Sequence, residues 1–119
     1  MSKVLIVDDE PEIVEILVDE LGRHGFSTKG AANGRDALEL VLEGDVDAVF
    51  SDVRMPGGDG IDLLVKIRQM GFTMPFAFMS AFADLTPQGA ARLGAQMLFQ
   101  KPYDLGEVVA FLRRELEKR

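Results

Sequence analysis

The stretch KVLIVDDEPEIVEILVDELGRHGFSTKGA, residues 3–31, changes its hydrophobic period twice. KVLIV (3–7) is a continuous apolar run rich in β-branched residues, the pattern of a strand covered on both faces. After Pro11, the residues Ile13, Ile16, Leu17 and Leu21 recur at helical spacing, and Gly22 and Gly25 close the segment. FSTKGA (26–31) then returns to an extended pattern. Strand, helix and strand in quick succession read as a crossover unit, which joins parallel strands.

The same alternation continues outward. Further strands are predicted at DAVFS (47–51), PFAFMS (75–80) and MLFQ (97–100). Asn33 is placed to cap a second helix carrying Leu38, Val41 and Leu42 and ending at Gly44; a third, after Asp59, presents Ile61, Leu64 and Val65 and ends near Gly71. A fourth, from Thr86-Pro87 to Gly94, has few large apolar anchors, so it is expected to be the least firmly held. In the fifth, Asp104 and Glu107 have capping-box spacing ahead of Leu105, Val108, Val109, Leu112 and Leu116. Five β-α units in succession imply an α/β fold with a doubly wound parallel sheet flanked by helices on both faces. Ligands of such sheets bind beyond the carboxyl ends of the strands. Four strands deliver polar residues to that edge: Asp8 and Asp9, Asp52, Ser80 and Lys101.

Length and composition set bounds on this reading. At 119 residues the chain is expected to be one domain, 1–119, with 47% hydrophobic and 28% charged residues, the balance of an ordinary globular protein. No apolar run approaches the roughly 20 residues that span a bilayer, and the start lacks a signal-peptide pattern, so no membrane association and a cytoplasmic location are expected. Zero Cys excludes disulfides and thiolate metal sites. A net charge of −7 opposes direct nucleic-acid binding by this domain, which depends on a basic patch.

What could three acids do together? Asp8, Asp9 and Asp52 against one Lys101 ammonium leave a surplus of negative charge that a divalent cation would neutralise. With no Cys and the single His24 far away, all donors are hard oxygens, which favours Mg²⁺ or Mn²⁺ over Zn²⁺. The alternative is that Asp8, Asp9 and Glu10 are solvated acids at a helix N-terminus, where negative charge is favourable. Asp52 lies in FSDVRMPGGDG (50–60), where Pro56 restricts the turn and Gly57, Gly58 and Gly60 permit positive φ and close backbone approach. It is either a turn-forming acid or, held beside a metal, a carboxylate nucleophile toward a phosphoryl group.

Asp8-Asp9 after the first strand, SDVRMPGGDG around Asp52, MSA (79–81) and QKPYD (100–104) together resemble the receiver domain of bacterial two-component response regulators. The likeness spans essentially the whole chain. It implies a five-stranded sheet of order 2-1-3-4-5 with five helices, and Asp52 as phospho-acceptor. It also implies Mg²⁺ held directly by Asp9, Asp52 and the Arg54 backbone carbonyl, with Asp8 reaching the ion through water. Lys101 pairs with the phosphoryl group, Ser80 supplies a hydroxyl to it, and the Lys101-Pro102 bond is of the kind that is cis in similar domains. The implied donor is a phosphohistidine of a sensor histidine kinase or histidine phosphotransfer protein. The output partner or domain is left unnamed, and phosphorylation-dependent dimerisation is compatible with the reading. A domain of this kind assists its own phosphorylation and dephosphorylation without being a turnover enzyme.

Two positions depart from the pattern or add to it. Leu98 stands three residues before Lys101, where the family commonly has an aromatic switch residue. It is either ordinary core or part of an apolar output surface with Tyr103, while Phe99 faces the other way. Phe82, with the Arg54 side chain, is expected to shield the acyl phosphate from water. His24 reads as surface, and Met70 as core. The leading function is a phosphorylation switch acting through the face of the fourth helix, fifth strand and fifth helix. The alternatives are a phosphorylation-independent interaction module and a metal-dependent phosphohydrolase.

Overall fold

The structure, a computed structural model, describes residues 1–81 and 85–118. Elements alternate along the chain: β1 Lys3–Val7, α1 Pro11–Arg23, β2 Ser27–Ala31, α2 Gly34–Glu43, β3 Ala48–Asp52, α3 Gly60–Gln69, β4 Phe76–Ser80, α4 Pro87–Leu93, β5 Met97–Gln100 and α5 Leu105–Glu117. All paired strands are parallel, in the order β2-β1-β3-β4-β5. Chain order reverses between β1 and β3, which places the edge expected to bind ligand beside those two strands.

Alternation along each strand divides the interior into two cores. Leu5, Val7, Val49, Phe76 and Phe78 pack with Ala37, Val41, Leu63, Leu64 and Ile67 of α2 and α3. Val4, Ile6, Phe50, Met79 and Phe99 pack with Leu17 and Leu21 of α1 and Val108, Phe111 and Leu112 of α5. Truncating a core residue such as Leu64 to Ala would cost about 2–5 kcal/mol. α2, α3 and α4 each begin on a side-chain cap: Asn33 accepts from the Asp36 N–H, Asp59 from Asp62 and Thr86 from Gly89. A side-chain cap of this kind contributes about 1 kcal/mol.

Several expectations shift on contact with the packing. β2 starts at Ser27, because Phe26 turns into the α1–α5 core. β3 runs one residue later than expected at both ends, so Asp52 is its last residue. β4 begins at Phe76; Pro75 has no N–H for the ladder, though its carbonyl accepts from Val49 at 2.9 Å. Ile16 and Leu42, read as parts of buried stripes, are 56% and 54% exposed. α1 rests on the sheet through Leu17 and Leu21, and α2 through Ala37 and Val41, so each helix is turned away from those two side chains. Leu63 and Ile67 take the deep positions of α3 beside Leu64, and Val65 is only half-buried. Met70 is 51% exposed rather than core, since it sits at the helix end where the chain reverses through Gly71 at φ +89°. Asp104 caps α5 through the Gly106 N–H at 2.7 Å, whereas the Glu107 N–H goes to the Asp104 carbonyl, so the cap is not the expected box. α4 is the shortest helix described and buries only Ala90.

Candidate functional site

The pairing register brings the strand ends together. Val7 is level with Ser51, Asp52 with Met79 and Ser80 with Gln100, so the residues that end or follow β1, β3, β4 and β5 share one edge. One carboxylate oxygen from each of Asp8, Asp9 and Asp52 lies within 4.8 Å of the other two. The Lys101 Nζ stands 3.7 Å from Asp8 Oδ2 and 3.7 Å from Asp52 Oδ2. A cleft of about 230 Å³ opens above them, lined by Asp9, Glu10, Asp52, Val53, Arg54, Ser80, Ala81 and Lys101. Asp8, Asp9, Asp52, Arg54, Ser80 and Lys101 are therefore at one place, with Asp8 fully buried beneath, Ser80 buried, and Asp9 and Arg54 exposed.

Hydrogen bonds orient the acids. Asp8 Oδ1 accepts from the Glu10 N–H at 3.0 Å, and Asp52 Oδ1 accepts from the Val53 N–H at 2.8 Å. Burial pushes the Asp8 carboxyl above the ordinary carboxylate range; the Glu10 N–H opposes this, the Asp52 charge reinforces it, and Lys101 opposes it. Burial also raises Asp52, against the pull of Lys101 and the Val53 N–H, while Asp9 adds repulsion. Desolvation thus wins over a single ammonium in both cases. Asp8 Oδ2 has no hydrogen-bond partner, and at 3.7 Å Lys101 offers charge without the 2.7–2.9 Å contact of a charge-assisted bond. A buried carboxylate oxygen left in this state, with two more carboxylates close by, suits a hard divalent cation.

The loops around the cleft explain how the Asp52 end of β3 is held. Gly57 and Gly58 have φ of +77° and +112°, conformations that side chains rarely adopt, and the Gly58 carbonyl accepts from the Gly34 N–H of α2 at 2.8 Å. Met55 is buried in the α2–α3 core and anchors the loop. Gly60 has a different role, for a Cβ there would stand 2.1 Å from the Asp52 carbonyl oxygen. On the other flank, the Lys101 N–H donates to the Ser80 carbonyl at 2.8 Å, and the Lys101-Pro102 peptide is cis. Tyr103 packs against Phe50 and Phe99, and its hydroxyl lies 3.7 Å from Met79 Sδ. Burial, then the Asp8 and Asp52 charges, push its phenol up to about 12.

Leu98 is core on the α2–α3 side, and Tyr103 belongs to the opposite core, although both border a groove between β5 and α5. Phe99 faces away from Leu98 and meets Phe50 and Phe111 edge-on. Phe82 lies outside the described residues. His24 is exposed at the end of α1, with Nδ1 at 2.8 Å from the Glu20 carbonyl. Sequence reasoning passed over Ser51, a fully buried polar residue whose hydroxyl donates to the Asp52 carbonyl at 2.8 Å. Its only sequence signal is a hydroxyl inside an apolar strand.

Comparison with known proteins agrees with this geometry. A family model described as the response regulator receiver domain matches residues 4–113. The response regulator protein PilR of Pseudomonas aeruginosa is 38% identical over 119 residues, covering 99% of this chain and 27% of PilR. Sporulation initiation phosphotransferase F of Bacillus subtilis is 36% identical over 108 residues, covering 90% of this chain and 87% of that protein. The chain thus spans about a quarter of the length of PilR and most of the length of the Bacillus protein. Among solved structures, the Francisella response regulator 1452 receiver domain superposes with a TM-score of 0.93 at 27% identity, covering 99% of this chain and 98% of that one. TrrA of Thermotoga maritima, a response regulator solved in complex with Mg²⁺-BeF, gives 0.86 at 28% identity, covering 96% and 98%.

Proposed function

We propose a function from one premise: the chain belongs to the response regulator receiver family. It is a phosphorylation-activated signalling switch whose acceptor is Asp52. The observation that carries this reading is the meeting of Asp8, Asp9, Asp52 and Lys101 at one strand edge. An Asp52 carboxylate oxygen forms a bond to the phosphorus of a phosphohistidine as the P–N bond breaks, and the electron pair stays on the donor imidazole. The donor is a sensor histidine kinase or a histidine phosphotransfer protein.

Asp9, Asp52 and the Arg54 carbonyl would hold Mg²⁺, or Mn²⁺ in its place, with Asp8 behind them. When bound, the ion neutralises the charge that develops on the phosphoryl oxygens. Lys101 places an ammonium beside Asp52 Oδ2 for the same charge, and Ser80, which lines the same cleft, supplies a hydroxyl to the phosphoryl group. The new dianion biases the loops at this edge, and the α4–β5–α5 face carries the change to a partner, an output domain or a second copy. Residues 1–119 act as one cytoplasmic receiver domain, which is a signalling domain rather than a turnover enzyme.

A second reading, a phosphorylation-independent interaction module, draws on the buried Leu98, which stands where a switch residue would be. Intact mass after treatment with acetyl phosphate separates the two. The switch gains one phosphoryl group in Mg²⁺, loses that gain in chelator, and shows none in Asp52→Asn. The interaction module shows no gain under any of these conditions.

A further inference from the structure

The acceptor's side chain is only half of what must be placed, because its carboxylate hangs from a main chain that has its own restraints. Ser51 is the one residue of β3 with a fully buried hydroxyl, and its Oγ donates to the Asp52 carbonyl at 2.8 Å. Gly60, the first residue of α3, presses on the same peptide. A Cβ at Gly60 would lie 2.1 Å from the Asp52 oxygen, 3.2 Å from its carbonyl carbon and 2.9 Å from Ser51 Oγ. The Gly60 N–H then donates to the Val53 carbonyl at 2.9 Å, and the Val53 N–H is shared between the Met79 carbonyl at 3.2 Å and Asp52 Oδ1 at 2.8 Å. Hydroxyl, glycine and amide therefore hold the two peptide units that follow Asp52, on either side of Val53. Val53, whose N–H closes this set of contacts, also lines the cleft beside Asp52.

We propose that Ser51 and Gly60 are positioning residues for phosphoryl acceptance: together they clamp the main chain of Asp52, and through the Val53 N–H they set the direction of its carboxylate. This rests on the reading of Asp52 as acceptor. Ser51 is suited to the task because its fully buried hydroxyl donates to the Asp52 carbonyl. Gly60 is suited because any side chain would push α3 off the strand end. A misplacement of the reacting oxygen by about 1 Å is enough to lower a rate by as much as 10²-fold. A loosened clamp should therefore slow the transfer more than it weakens the fold.

The test follows phosphorylation of the whole chain by acetyl phosphate at saturating Mg²⁺, alongside thermal unfolding, for wild type, Ser51→Ala, Ser51→Thr and Gly60→Ala. Ser51→Ala is expected to stay folded, with an unfolding midpoint a few degrees lower, and to lower the limiting rate about tenfold, more than that loss of stability accounts for. Ser51→Thr, which keeps the hydroxyl, should recover most of that rate, and Gly60→Ala should lose both rate and stability. A wild-type limiting rate in Ser51→Ala would overturn the clamp, and so would a Ser51→Thr rate no better than that of Ala in folded protein. If wild type itself gains no phosphoryl group, the acceptor reading fails first and the clamp falls with it.

Discussion

Two neighbouring parts of the strand edge are built in opposite ways. The β3–α3 connection is held at nearly every residue. Met55 is buried, Gly58 is tied to α2, Asp52 Oδ1 accepts from Val53, and Gly60 lies hard against the Asp52 carbonyl. α4 has seven residues, a single buried side chain at Ala90, and a left-handed cap at Gly94 with φ +104°. Its end is tied to the rest of the fold by Arg68 of α3, whose guanidinium donates to the Gly94 carbonyl at 2.8 Å and also to the carbonyls of Phe72 at 3.0 Å and Met74 at 2.8 Å. The contrast teaches a division of labour. The proposed acceptor is fixed, and the helix beside it has little apolar surface to keep it in one position.

The largest expected effect tests the tie between the two parts. Arg68→Ala removes donors from three carbonyls and should destabilise the protein by about 3 kcal/mol in urea unfolding. Amide exchange should speed up most in α4 and least in β3; uniform acceleration would erase the contrast. A middle-sized effect concerns the acid under the cleft. Asp8→Asn removes a buried charge whose Oδ2 has no hydrogen-bond partner, so the metal-free protein should gain about 1 kcal/mol at neutral pH, and the stabilisation that Mg²⁺ gives wild type should shrink. A loss of metal-free stability would show that the Lys101 pairing outweighs desolvation there.

The smallest effect lies at Tyr103, whose phenol is pushed up in part by the Asp8 and Asp52 charges. Because the Tyr103 phenol is raised from 10.0 to about 12, its contribution to stability is complete below pH 10 and is lost as pH rises through 12. Tyr103→Phe should flatten that alkaline decline and, having lost only a weak contact to Met79 Sδ, change neutral stability by about 0.5 kcal/mol or less. Thermal midpoints across that pH range provide the readout, and an unchanged alkaline limb would remove Tyr103 as its cause.

Much of this architecture could be read from residue order because the deciding signals are local. A run such as KVLIV can be little other than a buried strand, and Asn33, Asp59 and Thr86 each cap the helix that follows them. The acids, Ser80 and Lys101 were legible because each follows or ends a strand, and parallel strands in register must bring such residues to one edge. What escaped depends on contacts distant in sequence. Ile16, Leu42 and Met70 are apolar, yet the rotation of a helix is settled by what it lies on, and apolar type alone does not reveal that. Leu98 left two readings open until the opposite placement of Tyr103 was seen. Arg68 reaches across 26 residues to Gly94, and Gly60 meets the Asp52 carbonyl through a helix start that sequence shows only as one more glycine.

The central claim is that the oxygen accepting a phosphoryl group belongs to residue 52, with Asp8, Asp9 and Lys101 acting on that one atom. The most direct measurement treats the protein with acetyl phosphate and Mg²⁺, reduces the product with borohydride, and sequences the peptides by mass spectrometry. A carboxyl phosphate at Asp52 is converted to homoserine, so the account predicts homoserine at position 52 alone and only when Mg²⁺ was present. Homoserine at another acid, or none in folded protein under those conditions, would contradict it.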